Sequence, residues 1–166
     1  MKDFLTRPAW IEINLDSFEN NIKEIKSIIT PGTEIMSVVK SDAYRLGAIP
    51  LSYVSRELGI KFYGVATLSE ALRFKKEFPD TSVLILGYTP SHLYEDAVKN
   101  EITLTIYTLE DALKLNELAR DLGKKAKIHL AVDSGMSRIG FIPGENSLKE
   151  VKKIFELENI LSLIHI

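Results

Sequence analysis

The 166-residue sequence predicts an α/β fold built on a parallel sheet, and three observations carry that reading. Short runs rich in valine, isoleucine and leucine alternate with stretches of helical periodicity at intervals of about 20 residues. Ser, Thr or Asp followed three positions later by an acidic residue opens several of those helices. Hydrophobic residues make up 45% of the chain, enough at this length for one domain-sized core. Parallel strands joined by crossover helices either close as a (β/α)8 barrel or lie open as a doubly wound sheet. The spacing of the elements leaves both open.

Residues 10–15 alternate well enough for an N-terminal strand. Asp16-Ser17-Phe18-Glu19 then reads as an N-cap, and Leu15, Phe18, Ile22, Ile25 and Ile29 recur at helical spacing until Pro31-Gly32 ends the helix. In the strand over 34–40, alternation turns Met36, Val38 and Lys40 to one side and Ile35, Ser37 and Val39 to the other. Residues 49–58 read as a helix with Pro50 tolerated in its first turn, and 62–65 as a strand. Thr67-Leu68-Ser69-Glu70 is a capping box, opening a helix whose Leu68, Ala71, Leu72 and Phe78 share a face and which Pro79 closes.

The pattern repeats with strand 83–86, helix 91–99, strand 102–106 and helix 108–122, where Ala112, Leu115, Ala119 and Leu122 fall in line. Along strand 127–132, Ile128, Leu130 and Val132 face the helices while His129, Ala131 and Asp133 face inward. Ser147-Leu148-Lys149-Glu150 caps a last helix before strand 161–166. That makes about six barrel-type strands after the N-terminal one.

A formal net charge of −2 provides no basic field, so nucleic acid is excluded as a partner, and the lysine pairs at 75–76, 124–125 and 152–153 read as solvated positions. The chain has no cysteine, which rules out disulfides, thiolate metal sites and a cysteine nucleophile, and fits a reducing cytoplasm. No apolar run reaches the roughly 18–20 residues a bilayer span needs. Asp3 and Arg7 stand where a signal peptide would be apolar, so the chain reads as soluble and cytoplasmic, with no membrane partner. His92, His129 and His165 lack metal-ligand spacing and read as structural, and no glycine-rich phosphate loop of the P-loop or dinucleotide type is present.

The stretch from Ser37 to Gly47 carries the chemistry. Lys40 closes an apolar strand on its inner face, and an amine partly withdrawn from water there can attack a carbonyl and condense as a Schiff base. Tyr44, four residues on, offers a hydroxyl at the mouth of the same turn. Downstream, Gly135 supplies backbone freedom, the Met136 amide can donate to an anion, and Arg138 can grip a carboxylate with two hydrogen bonds.

Val38-Val39-Lys40-Ser41-Asp42-Ala43-Tyr44 resembles the pyridoxal-phosphate motif of bacterial alanine racemases, Val-Val-Lys-Ala-Asp-Ala-Tyr-Gly-His-Gly. The block from Pro8 to Asp16 is similar to that family's opening strand. The block from Val132 to Gly140 is similar to its substrate-binding block, Val-Asp-Thr-Gly-Met-x-Arg-Leu-Gly. The three blocks stand in the family's order, and the resemblance runs from Pro8 to Ile166.

The resemblance implies a partial (β/α)8 TIM-type barrel, with about six of the eight strands preceded by one N-terminal strand. Residues 1–166 would be an incomplete N-terminal cofactor-binding barrel domain, without the family's C-terminal β domain. It implies pyridoxal 5′-phosphate as cofactor, an amino-acid substrate, a homodimer in the full-length enzyme, and interconversion of L- and D-alanine for peptidoglycan synthesis. Lys40 would bind the cofactor covalently and move the α-proton, and Tyr44 would hydrogen-bond the phosphate. Arg138 would steady the cofactor's phenolic oxygen and, with the Met136 amide, the substrate carboxylate.

In the family the opposite base is a tyrosine of the partner subunit's C-terminal domain, so the 166-residue protein alone is expected to be inactive. Departures from the family pattern are Ser41 for alanine, Arg45-Leu46 for Gly-His, and Ala131 where many members carry a carbamylated lysine paired with the arginine. His165 aligns with a strand that would lie below the cofactor ring. Two other readings are a racemase of serine or another small amino acid, and a non-catalytic cofactor-homeostasis protein. The latter group lacks the Val-Asp-Ser-Gly-Met-Ser-Arg block in this form.

Overall fold

Six strands, β1 (Met36–Val38), β2 (Phe62–Val65), β3 (Ser82–Ile85), β4 (Thr103–Ile106), β5 (Ala126–Leu130) and β6 (Ile160–His165), lie side by side in chain order. Each pairs in parallel with the next. That order decides between the two architectures. A doubly wound sheet reverses direction at a switch point, whereas a barrel winds one way without reversal. The sheet is part of a (β/α) barrel. The computed structural model describes residues 10–165, the last two through their backbone alone, so Asp3, Arg7, Pro8, Ala9, Ile166 and the His165 side chain lie outside the described residues.

The crossovers are α3 (Ala48–Glu57), α4 (Leu68–Glu77), α5 (Tyr94–Lys99, preceded by a 3-10 turn over Ser91–Leu93), α6 (Leu109–Asp121) and α7 (Glu145–Phe155), while α1 (Leu15–Ile28) comes before β1 and α2 (Lys40–Tyr44) directly follows it. Thr67 and Thr108 cap α4 and α6 by accepting the amides of Glu70 at 3.3 Å and Asp111 at 3.1 Å. The core fills the space between helices and sheet. Tyr63, Val83, Ile85, Leu104, Ile128 and Leu130 point outward from the strands onto Ala71, Phe74, Ala112, Leu115 and Ala119. Each of the larger side chains contributes about 1.5–3 kcal/mol on burial, and the alanines let the helices sit close. The opposite faces of the strands line the barrel interior, where Met36, Phe62, Ser82, Leu84, Thr103, His129 and Leu163 surround a cavity of about 230 Å³.

Several expectations are corrected. Residues 10–14 form no strand, because a strand needs a hydrogen-bonded neighbour and the described sheet begins at β1; Trp10 and Ile11 stand exposed. The N-cap of α1 is Asn14 rather than Asp16, its side chain accepting the Ser17 amide at 2.8 Å. Ser147 lies inside α7, which begins at Glu145, and its hydroxyl donates to the Ile142 carbonyl at 2.6 Å. The strand expected over 34–40 is shorter: β1 stops at Val38, and Lys40 opens the following turn.

Candidate active site

The chain leaves β1 in an unusual way. Ser41, Asp42, Ala43, Tyr44 and Arg45 have φ of 53°, 54°, 52°, 57° and 71°, a full left-handed turn without a glycine. Such a conformation costs about 1–2 kcal/mol per residue for L-amino acids, so the surroundings must hold it. Within the turn the Ala43 amide donates to Val39 O at 2.8 Å and the Arg45 amide to Ser41 O at 2.9 Å. Asp42 ties the exit, its carbonyl accepting the Gly47 amide and its carboxylate the Ala48 amide, each at 3.0 Å. Val39 and Ala43 are buried against the helices. Outside the turn, Glu70 of α4 accepts the Ser41 amide at 2.9 Å and the Ala66 amide at 2.8 Å.

This turn sets Lys40 half-buried at the C-terminal end of the barrel, with its Nζ 5.9 Å from the centre of the Tyr44 ring. A cation at that distance from a ring face is weakly attracted. Tyr44 is 60% exposed, so its hydroxyl is open to a ligand.

The second part of the site follows β5. The Asp133 amide donates to Phe141 O at 2.9 Å and the Phe141 amide to Ala131 O at 2.8 Å, closing residues 132–141 into a loop. Gly140 makes the closure possible: its φ is 126°, and a Cβ there would meet Asp133 N at 2.5 Å. Inside the loop the Asp133 carboxylate accepts the amides of Gly135 and Ser137, both at 2.9 Å. Those donors, with a smaller contribution from the Met136 amide, hold the Asp133 carboxyl below its ordinary value.

The loop returns Arg138 to the mouth of the barrel. Lys40, Arg138 and Ile139 line one cavity of about 300 Å³ together with Ala66, Leu86, Gly87 and Tyr88. The structure therefore brings Lys40 and Arg138 together and sets Tyr44 beside the amine. Met136 does not line that cavity, and its side chain is 75% exposed. Arg138 has no ion pair among the described residues. Ala131 faces inward with Thr105, His129 and Ile139 around an adjoining cavity of about 110 Å³.

Sequence reasoning read Glu70 only as a helix cap and did not single out Ala66, Leu86, Gly87 or Tyr88. All but Glu70 follow β2 or β3 closely at the C-terminal end of the barrel, the face where such folds place their sites, and that position was the available signal. Among the described residues no three His, Cys, Asp or Glu side chains group to hold a metal, and no helix is long and apolar enough to cross a membrane.

The sequence matches the family described as alanine racemase, N-terminal domain, over residues 13–166. The chain belongs to that family. An alanine racemase of Methanococcus maripaludis is 42% identical over 156 residues, covering 94% of this chain and 42% of its own length. One from Clostridium perfringens is 42% identical over 158 residues, covering 95% and 41%. The alanine racemase of Clostridium difficile 630 in complex with cycloserine superposes with a TM-score of 0.92 at 39% identity, over 97% of this chain and 44% of that one. A histidine racemase from Leuconostoc mesenteroides superposes at 0.85 with 28% identity, over 98% and 44%. The chain thus spans about two fifths of the relatives it matches.

Proposed function

We propose that this chain is the cofactor-binding barrel domain, residues 1–166, of a pyridoxal 5′-phosphate-dependent amino-acid racemase acting on alanine. The observation that carries the reading is the shared cavity of Lys40 and Arg138, with Tyr44 against the lysine amine. The donor set fits the cofactor: an amine for its aldehyde, a guanidinium for its phenolic oxygen, a phenol for its phosphate, and apolar walls at Leu86 and Ile139 for its ring.

When bound, pyridoxal 5′-phosphate supplies an electrophilic carbon and a sink for the electron pair left by the departing α-proton. Lys40 Nζ holds the reacting end and takes or returns that proton on one side of the site. Tyr44 Oη donates to the phosphate. Arg138, with no carboxylate partner among the described residues, would bind the phenolic oxygen and the substrate carboxylate, without the Met136 amide, which serves the Asp133 carboxylate. The whole enzyme acts as a cytoplasmic homodimer making D-alanine for the cell wall. The Leuconostoc relative, a histidine racemase on the same fold, supports a second reading in which the substrate is another amino acid.

The test is to incubate the protein with pyridoxal 5′-phosphate, reduce with borohydride and map the labelled peptide. Label is expected on Lys40 and absent in Lys40→Ala; label elsewhere, or none on folded protein, overturns the reading. Racemisation needs a proton-handling group on each face, so with L-alanine added the 166-residue protein is expected to make no D-alanine beyond the rate of free cofactor. Turnover lost in Lys40→Ala would place the second base within these residues and overturn the assigned roles.

A further inference from the structure

We propose that Glu70 is a positioning residue, whose carboxylate clamps the left-handed turn so that Lys40 faces the cavity it shares with Arg138 and Tyr44 stands beside its amine. The inference rests on the roles given to those two residues above, but its first readout does not depend on them. A helix-capping glutamate in the third position normally folds back onto the N-cap amide and needs one oxygen to do so. Glu70 departs from that pattern. Its own amide donates to Thr67 Oγ1 at 3.3 Å, but its Oε2 accepts the Ala66 amide at 2.8 Å, one residue before the cap. Its Oε1 is then left for the Ser41 amide at 2.9 Å, 29 residues away in the chain.

Both oxygens are thus spent on backbone amides, one following β1 and one following β2, and among the described residues Glu70 makes no ion pair. The Ser41 amide belongs to the first residue of the five with positive φ. Behind the turn lies a cavity of about 270 Å³, lined by Val39, Asp42, Ile49, Glu70, Arg73 and Phe74, so side-chain packing does not by itself fix the turn from that side. A hydrogen bond to a charged acceptor is what the strained backbone has instead. Glutamine has the same shape but one carbonyl oxygen, so it can satisfy only one of the two amides.

The test compares Glu70→Gln and Glu70→Ala with Thr67→Ala, which removes the cap of α4 and leaves both clamp bonds. In Glu70→Gln the amides of Ser41, Ala43, Arg45 and Ala66 should exchange hydrogen at least about tenfold faster, with β3, β4 and β5 unchanged. Thr67→Ala should leave the turn protected. With pyridoxal 5′-phosphate added, Glu70→Gln should capture it on Lys40 more slowly under borohydride and show a weaker visible circular dichroism at equal occupancy.

Unchanged exchange in the turn of folded Glu70→Gln overturns the clamp. So does equal loosening in Thr67→Ala, which would reduce Glu70 to a cap. If Glu70→Ala does not fold, Glu70→Gln alone decides. Loosened exchange in a protein whose wild type never labels at Lys40 would confirm the clamp and reject the functional reading, so the two fail separately.

Discussion

At Tyr44 a backbone φ of 57° and a ring centre 5.9 Å from the Lys40 amine are linked. Side chains four apart on a helical turn share a face, and here that turn is wound against the usual hand. The sequence showed Lys40 and Tyr44 as a pair through the motif around them, yet it gave no sign of the handedness. Positive φ is usually announced by glycine, and Ser41-Asp42-Ala43-Tyr44-Arg45 has none. Glu70 was legible only as a cap, since a spacing of three residues says nothing about an amide 29 positions earlier. The proposed role of Tyr44 can be isolated, because Tyr44→Phe removes the hydroxyl and keeps the ring over the amine. Equilibrium dialysis should show pyridoxal 5′-phosphate held less tightly by about 1.5–3 kcal/mol, the loss typical of one hydrogen bond to a charged group. Equal affinity in the two proteins would mean the tyrosine is a rim aromatic with no bond to the ligand.

The 132–141 loop shows how an element without regular structure can still be fastened by hydrogen bonds. Its backbone is pinned at both ends by the Asp133–Phe141 and Phe141–Ala131 hydrogen bonds, and its middle by the Asp133 carboxylate. Alternation along β5 predicted the inward faces of His129 and Ala131, but it could not foresee that Asp133 would turn its carboxylate onto its own loop. That bond depends on contacts made only when the chain returns at Phe141. Because amide donors lower the Asp133 carboxyl in the folded loop, protons bind more readily to the unfolded form. The stabilisation is present above the ordinary carboxylate value, about 4, and is lost as pH falls through the lower folded value. Protection factors of the Gly135 and Ser137 amides, corrected for intrinsic exchange, should therefore fall in acid with the rest of the barrel still protected. Asp133→Asn should remove that pH dependence. If the variant shows the same acid transition, some other group controls the loop.

For the whole molecule, the order of strands and helices from β1 onward was readable, with bounds that coincide at Phe62–Val65 and shift elsewhere, as where the strand expected over 34–40 shortens to Met36–Val38. The winding was not, because neighbour order is a tertiary fact; only the resemblance pointed to the barrel. The same limit explains residues 10–14, whose alternation suits a strand but whose backbone finds no partner in the described sheet. Among the described residues β1 is bonded on one side, to β2, and β6 on one side, to β5. Next to those edges, Val38, Leu161 and Leu163 are exposed. Unpaired backbone beside apolar side chains is a template for another strand. The 166-residue protein should therefore self-associate as its concentration rises, with little response to salt because few charges take part. Sedimentation velocity over the micromolar range would detect this. Leu161→Lys and Leu163→Lys, each placing a charge on the β6 side of the opening, should shift the protein toward monomer without lowering its helix content. A protein that stays monomeric throughout, or lysine variants that associate as readily as the parent, would show that the open edges are not what brings copies together.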